Sequence, residues 1–315
     1  MTKKNRQDLD ELEQLVQEFK EPAPEEDSPL EEKAQNPRGK QNPRRKNKKI
    51  LFYSLLCFFA AVFLFSSVYL AQYLIRQNRD EATYDELGDI VAGIQGGTGP
   101  TEDPLASTPP FVGTTNPPSG PTEPVILPEY QPIYDMNNDT VGWIKIEGTN
   151  INYPVMQTPT NSDYYLTHNF DKQKSSVGAI YVREACDVWK PSDNVVIYGH
   201  RIINDQMFSP LRNYTSKSFW QSHQYVTFDT LYERHTYQIF AVFKTSANLG
   251  QGYSYHRFND AVDQADFDQF VSKVKELSFY DTGITPQYGD KLITLSTCEY
   301  TLDNGRLVVV AVRVS

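Results

Sequence analysis

The chain has 315 residues, with 30 Lys and Arg against 40 Asp and Glu, a net charge of −10, and 13% aromatic residues. That length fits one or two domains, the aromatic content excludes a chain that is disordered throughout, and the acidic balance argues against a general nucleic-acid binder. Three cysteines cannot staple a disulfide scaffold, and neither zinc-ligand nor EF-hand spacing occurs, so neither a metal nor a cofactor is implied.

Composition changes sharply along the chain. Residues 8–32 hold eleven acids and one base, with Leu9, Leu12, Leu15, Val16 and Phe19 at helical spacing before Pro22, Pro24 and Pro29. A solvated acidic tail accounts for this segment better than a partner-binding helix does. Residues 38–49 then carry seven bases and no acid. Residues 50–75, ILFYSLLCFFAAVFLFSSVYLAQYLI, are uncharged. As a helix they rise about 39 Å, more than the roughly 30 Å hydrocarbon core of a bilayer. The run is too long for a signal-peptide core and no small-residue cleavage site follows, so a retained membrane anchor is expected. The basic cluster on its N-terminal side places residues 1–49 in the cytoplasm and everything after the span outside it. Cys57 lies within the span as an apolar filler.

The helix can continue a few turns through 77–95. Residues 96–124 are a spacer, with 21 of 29 positions Gly, Pro, Ser or Thr. The expected organisation is a polar tail at 1–49, a transmembrane helix at 50–75, an extracytoplasmic linker at 76–127 and a folded domain at 128–315.

Within that domain eight runs read as strands: 141–146, 151–156, 178–182, 194–199, 225–229, 236–245, 291–297 and 306–314. They are rich in β-branched and aromatic residues and bounded by turn formers. So many short strands in one domain favour a closed β-barrel. One helix is clear at 265–277, where Phe267, Phe270, Val271, Val274 and Leu277 share a face. Shorter helices are expected near 129–137, 162–168, 206–212 and 216–223.

Two cysteines follow the span. Cys186 sits in a polar loop, whereas Cys298 closes the strand ending at Thr297, where a rigid strand can present a nucleophile. A disulfide between them is the competing reading. A thiol needs help to lose its proton, and a histidine can supply it. His200 ends the strand NVVIYGH, so if strands 194–199 and 291–297 are neighbours, His200 and Cys298 meet at one end of the sheet. His168, in LTHNF, is the runner-up. Asp303-Asn304-Gly305 is a turn signal, and a hairpin there would return Arg306 beside Cys298, where its fork of donors suits a developing oxyanion. Arg313 lies seven residues further on and fits less well.

TLSTCEY at 294–300 followed by NGRLVVVAV at 304–312 resembles the active-site strand, loop and next strand of sortases, in the form typical of class B. VVIYGHR at 195–201, VGWIKIEGTNINYPVMQ at 141–157, DYYLTHNF at 163–170 and GAIYV at 178–182 are similar to the same class in the same order. The resemblance implies a mainly β fold: an eight-stranded sortase-type barrel with peripheral helices. It also implies a membrane-anchored cysteine transpeptidase, with Cys298, His200 and Arg306 as its catalytic residues. Such enzymes cleave an LPxTG- or NPQTN-like sorting motif of surface proteins after Thr through a thioacyl-enzyme. An amine of the cell-wall precursor, or a pilin lysine, then resolves that intermediate. Ser296, Thr297 and Glu299 flank the nucleophile and, with Leu166 and Ser162, are the expected substrate-binding residues. The competing readings are a non-catalytic wall-binding or adhesion domain on a membrane stalk, and a hydrolase that releases proteins instead of joining them.

Overall fold

The structure is a computed structural model that describes residues 43–97, 124–158, 160–202, 205–248 and 250–315. The acidic tail and most of the Pro/Gly/Thr-rich spacer lie outside the described residues. The chain divides into two units, residues 1–62 and 63–315. Helix α1 runs Pro43–Gln95. Its apolar stretch carries exposed Leu, Phe, Tyr and Val from Leu51 to Ile75, and it is long and apolar enough to cross a membrane.

In the second unit eight strands close a barrel: β1 (Thr140–Lys145), β2 (Asn152–Met156), β3 (Ile180–Val182), β4 (Asn194–Tyr198), β5 (Tyr225–Thr230), β6 (Thr236–Ser246), β7 (Leu292–Glu299) and β8 (Gly305–Arg313). Their order around the barrel is β1-β2-β3-β4-β7-β8-β6-β5, and β5 pairs back onto β1. Closure leaves no sheet edge open, which is how short strands of this kind avoid pairing with other chains. All eight expected strands are present, each within a few residues of its predicted limits.

Short helices α2 (Gln131–Met136) and α3 (Lys217–Ser222) and 3₁₀ turns at Tyr164–Leu166, Ser209–Thr215 and Tyr255–Arg257 fill the connections. Helix α4 (Gln264–Leu277) starts at Asp263, whose side chain caps the Asp266 amide and satisfies one of the free N–H groups of the first turn. It buries Phe267, Phe270, Val271 and Val274. Phe270 stacks on Phe258 with centroids 4.1 Å apart.

Strands β7 and β8 are buried along almost their whole length, so they read as continuous apolar runs and not as alternating ones. A polar peg fixes their neighbour. Asn194, fully buried at the start of β4, accepts from Thr294 Oγ1 on β7 at 2.7 Å and donates to the Phe258 carbonyl at 2.8 Å. A slip of β4 against β7 would leave these groups unpaired in an apolar interior.

One boundary differs from the sequence expectation. Residues 80–91, expected to continue the helix within the 76–127 linker, do so but also pack on the domain, with Asp80, Tyr84, Leu87 and Val91 buried. Tyr84 meets Tyr153 of β2 edge to face at 5.4 Å.

Glu299 also departs from expectation. In place of a substrate contact, it is 4% exposed and accepts from Arg201 Nη1 at 3.1 Å, Lys244 Nζ at 3.3 Å and the Thr301 amide at 2.9 Å. The carboxylate therefore ties together the ends of β4, β6 and β7. Burial raises its pKa, but the Thr301 and Lys244 hydrogen bonds outweigh burial and hold it below the usual range. A depressed folded pKa gives stability that is present above the ordinary value of about 4.3 and lost as pH falls through the folded pKa. Glu299→Gln should therefore lower stability at pH 7 by about 1–3 kcal/mol. The gap between variant and parent should close as pH drops below about 4. Denaturant midpoints at pH 7 and pH 3 check this, and an equal gap at both would contradict the ionised tie.

Candidate active site

Three chemistry-bearing residues reach one end of the barrel through two strand registers. Strands β4 and β7 are parallel, with Tyr198 paired to Ser296, and the ladder runs one step further through the Gly199 amide to the Ser296 carbonyl at 3.1 Å. His200 and Cys298 each lie two residues beyond that paired position. Neighbouring strands are about 4.8 Å apart, so the two residues leave the sheet side by side. Strands β7 and β8 are antiparallel, with Cys298 directly opposite Arg306, and directly opposed side chains stand on the same face. Gly199 has a specific reason to be there. A Cβ at that position would lie 2.4 Å from Ile180 Cδ1 and 2.7 Å from the Phe208 ring, so no larger residue fits just ahead of His200.

A cleft of about 590 Å³ opens over these residues. His200, Cys298 and Arg306 all line it, as do the expected Ser162, Leu166, Ser296 and Thr297. Glu299 does not. Strand alternation sends it to the opposite side from Cys298, into the ion-pair tie described above.

His200 Nε2 lies 2.6 Å from the Leu166 carbonyl. A carbonyl only accepts, so Nε2 carries the proton and Nδ1 is the nitrogen left free in the neutral ring. Arg306 Nη1 donates to the Asn304 carbonyl, Asn304 Oδ1 and the Gly305 carbonyl at 3.3, 3.1 and 2.9 Å. These bonds steady the guanidinium through one nitrogen, and among the described residues its other donors are left for a ligand. Ser296 is held by Tyr255, hydroxyl to hydroxyl at 2.5 Å. Burial raises the Tyr255 phenol above its usual range, so it stays protonated.

Several lining residues lie outside the sequence expectation. Arg183 follows β3, and Asn248, Tyr253, Tyr255, His256 and Arg257 come from the long β6–α4 connection. The pKa of His256 is held below the usual range by burial first and then by Arg183, Arg257 and Arg306, so at neutral pH it adds no charge. That connection has no strand or helix periodicity, so the sequence offers no signal that it folds over the cleft.

The competing candidates are accounted for. His168 stacks on Tyr164 at 4.0 Å, with Nδ1 2.8 Å from the Tyr164 carbonyl, and is not among the cleft residues. Cys186 and Cys298 are both free thiols. Cys186 is buried beside the start of β4, 3.6 Å from the Asn194 carbonyl, and burial pushes its pKa up to about 11. It is chemically quiet, whereas Cys298 is partly exposed in the cleft.

Comparison with known proteins agrees with this geometry. Residues 144–314 match the family model described as the Sortase domain. Sortase B of Staphylococcus aureus (strain NCTC 8325 / PS 47) is 34% identical over 188 residues, covering 59% of this chain and 75% of that protein. Sortase B of Listeria monocytogenes serovar 1/2a (strain ATCC BAA-679 / EGD-e) is 32% identical over 183 residues, covering 58% and 72%. Among solved structures, a Staphylococcus aureus sortase B–substrate complex superposes with a TM-score of 0.62 at 25% identity, covering 76% of this chain and 99% of that one. A sortase B complexed with triglycine gives a TM-score of 0.62 at 26% identity with the same coverage. The chain belongs to the sortase family of cysteine transpeptidases that anchor surface proteins, and its relatives are sortase B enzymes.

Proposed function

We propose that this transpeptidase cuts an NPQTN- or LPxTG-like sorting motif after Thr and transfers the upstream protein to an amine of the cell wall. The observation that carries the reading is the pair of registers that brings His200 and Arg306 to Cys298. The relatives add to it, since one sortase B structure is a substrate complex and another contains triglycine, a peptide with a free amine.

The Cys298 sulfur attacks the Thr carbonyl carbon and a C–S bond forms as its thiol proton passes to the free Nδ1 of His200. The carbonyl oxygen takes up negative charge, and the free donors of Arg306 offset it in a cleft partly screened from water. The C–N bond to the next residue breaks as His200 gives that proton from Nδ1 to the leaving amine, while Nε2 keeps its own proton on the Leu166 carbonyl. In the second half Nδ1 of His200 takes a proton from the incoming amine, whose nitrogen attacks the thioacyl carbon; the C–S bond breaks and the departing sulfur takes that proton back as a thiol. Ser162, Leu166, Ser296 and Thr297 line the groove that holds the motif. Helix α1 holds the enzyme at the membrane with its basic N-terminal flank in the cytoplasm, so the catalytic unit works on the side where wall amines lie.

Intact-mass measurement of the chain mixed with an NPQTN peptide should show the acyl fragment on Cys298, and added triglycine should discharge it as a joined product. Cys298→Ala should neither cleave nor be acylated. Cleavage retained by that variant would rule out this mechanism, and a hydrolysed product alone in excess triglycine would favour a hydrolase. Arg306→Ala should lower kcat/KM by about 10²–10³-fold. Arg306→Lys should recover only part of this, because an ammonium lacks the planar fork. Steady-state peptide cleavage checks the series, and less than about a threefold loss in Arg306→Ala would remove Arg306 from the oxyanion role.

A further inference from the structure

The His200 ring is held by a carbonyl from a loop, and a different part of the chain holds that loop. Residues 163–178 run from the Tyr164–Leu166 turn to the start of β3. Leu166 supplies the carbonyl bonded to Nε2 of His200. At the other end Gly178 lies against the same imidazole. Its φ is +62°, and a Cβ there would fall 3.0 Å from His200 Cδ2 and 2.7 Å from the Tyr165 carbonyl. Only glycine suits that backbone at that spacing. The loop closes on itself through Ala179 N to the Tyr165 carbonyl and Ser175 N to the Thr167 carbonyl, each at 2.9 Å.

Helix α1 grips this loop at both shoulders. Tyr84 donates its hydroxyl to the Gly178 carbonyl at 2.8 Å and accepts from the Phe170 amide at 3.2 Å. Asp80, one turn earlier on the same face, accepts from Asn169 Nδ2 at 2.7 Å and from Ser175 Oγ. Asn169 Oδ1 in turn accepts from the Gln173 amide at 2.9 Å, and Ser175 Oγ from the Val177 amide at 3.0 Å. Asp80 and Tyr84 are both buried, 6% and 4% exposed, so these bonds are poorly replaced by water. Buried networks satisfied in this way confer rigidity as well as stability.

We propose that Asp80 and Tyr84, on the segment of α1 that follows its apolar stretch, are positioning residues for the proton-transfer histidine. They fix the 163–178 loop, and the loop's Leu166 carbonyl fixes the ring orientation and tautomer of His200. The contacts are continuous from Asp80 and Tyr84 through the loop to His200. The inference rests on the assignment of His200 as the proton-transfer group. Neither residue lines the cleft; both act through Leu166 and Gly178.

The test uses the full chain in detergent micelles with ¹⁵N-labelled histidine and an NPQTN peptide as substrate. Tyr84→Phe keeps the packed ring and removes two hydrogen bonds; Asp80→Ala removes the other pair. Each should lower kcat roughly tenfold with KM nearly unchanged, since small misplacement of a reacting group is costly. In each, the His200 ring nitrogen shifts should move from a single Nε2–H tautomer toward a mixture. Val91→Ala lies on the same helix face but bonds to nothing in the loop. It should lower the thermal midpoint and leave both kcat and the His200 spectrum as in the parent. Unchanged kcat and tautomer in Tyr84→Phe and Asp80→Ala would overturn the proposal, as would an equal effect in Val91→Ala. His200→Ala separates this from the underlying reading. If it abolishes turnover while the two helix variants are silent, only the positioning role fails. If it retains turnover, the role of His200 itself fails, and the positioning role with it.

Discussion

Strand β7 is hydrogen-bonded on both sides, parallel to β4 and antiparallel to β8, and the rest of the active site depends on these two ladders. Cys298, the proposed nucleophile, belongs to β7 itself. Its partners reach it only because one neighbouring strand ends level with it and the other begins level with it. Sheet registers move in whole residues, and a one-residue slip would turn every side chain to the other face. The buried pairing of Asn194 with Thr294 and Phe258 makes such a slip costly. Catalytic geometry is thereby written into the core of the barrel, and only the substrate groove is left to the loops.

The two faces at the end of β7 are used differently. The Cys298 face is a partly exposed cleft. On the opposite face Glu299 gathers Arg201 and Lys244, and Tyr300 lies over the Arg201 guanidinium at 5.1 Å. Arg201 directly follows His200, so this second cluster binds the histidine segment to the cysteine segment from behind. A buried carboxylate shared by two partly exposed cations is worth modest stability. Its structural effect is to close the free ends of three strands against one another.

Most of the barrel is legible in the sequence for a plain reason: its strands are mostly buried, with β5 alternating, and β-branched and aromatic runs bounded by turn residues are what such strands require. The proximity of Cys298, His200 and Arg306 follows from strand ends and one hairpin turn. Glu299 departs from the sequence expectation although strand alternation places consecutive residues on opposite faces. Residues 80–91 read only as a helical extension within the linker, because five acids there suggest a solvated segment. Asp80, Tyr84, Leu87 and Val91 nevertheless repeat at intervals of four, three and four, a helical face that the sequence does carry. The β6–α4 connection leaves no such trace, because its residues reach the cleft through tertiary contacts of an irregular chain.

The mechanism depends on how the three side chains meet a bound acyl group. A crystal structure of the chain carrying a sorting peptide linked to Cys298 through a thioacyl mimic measures this directly. The expected result is the Arg306 guanidinium within hydrogen-bond distance of the Thr carbonyl oxygen. The His200 ring should stand beside the scissile position, with Nε2 still on the Leu166 carbonyl. A carbonyl oxygen held by other donors, with Arg306 turned to solvent or His200 on the far side of the peptide, would contradict it.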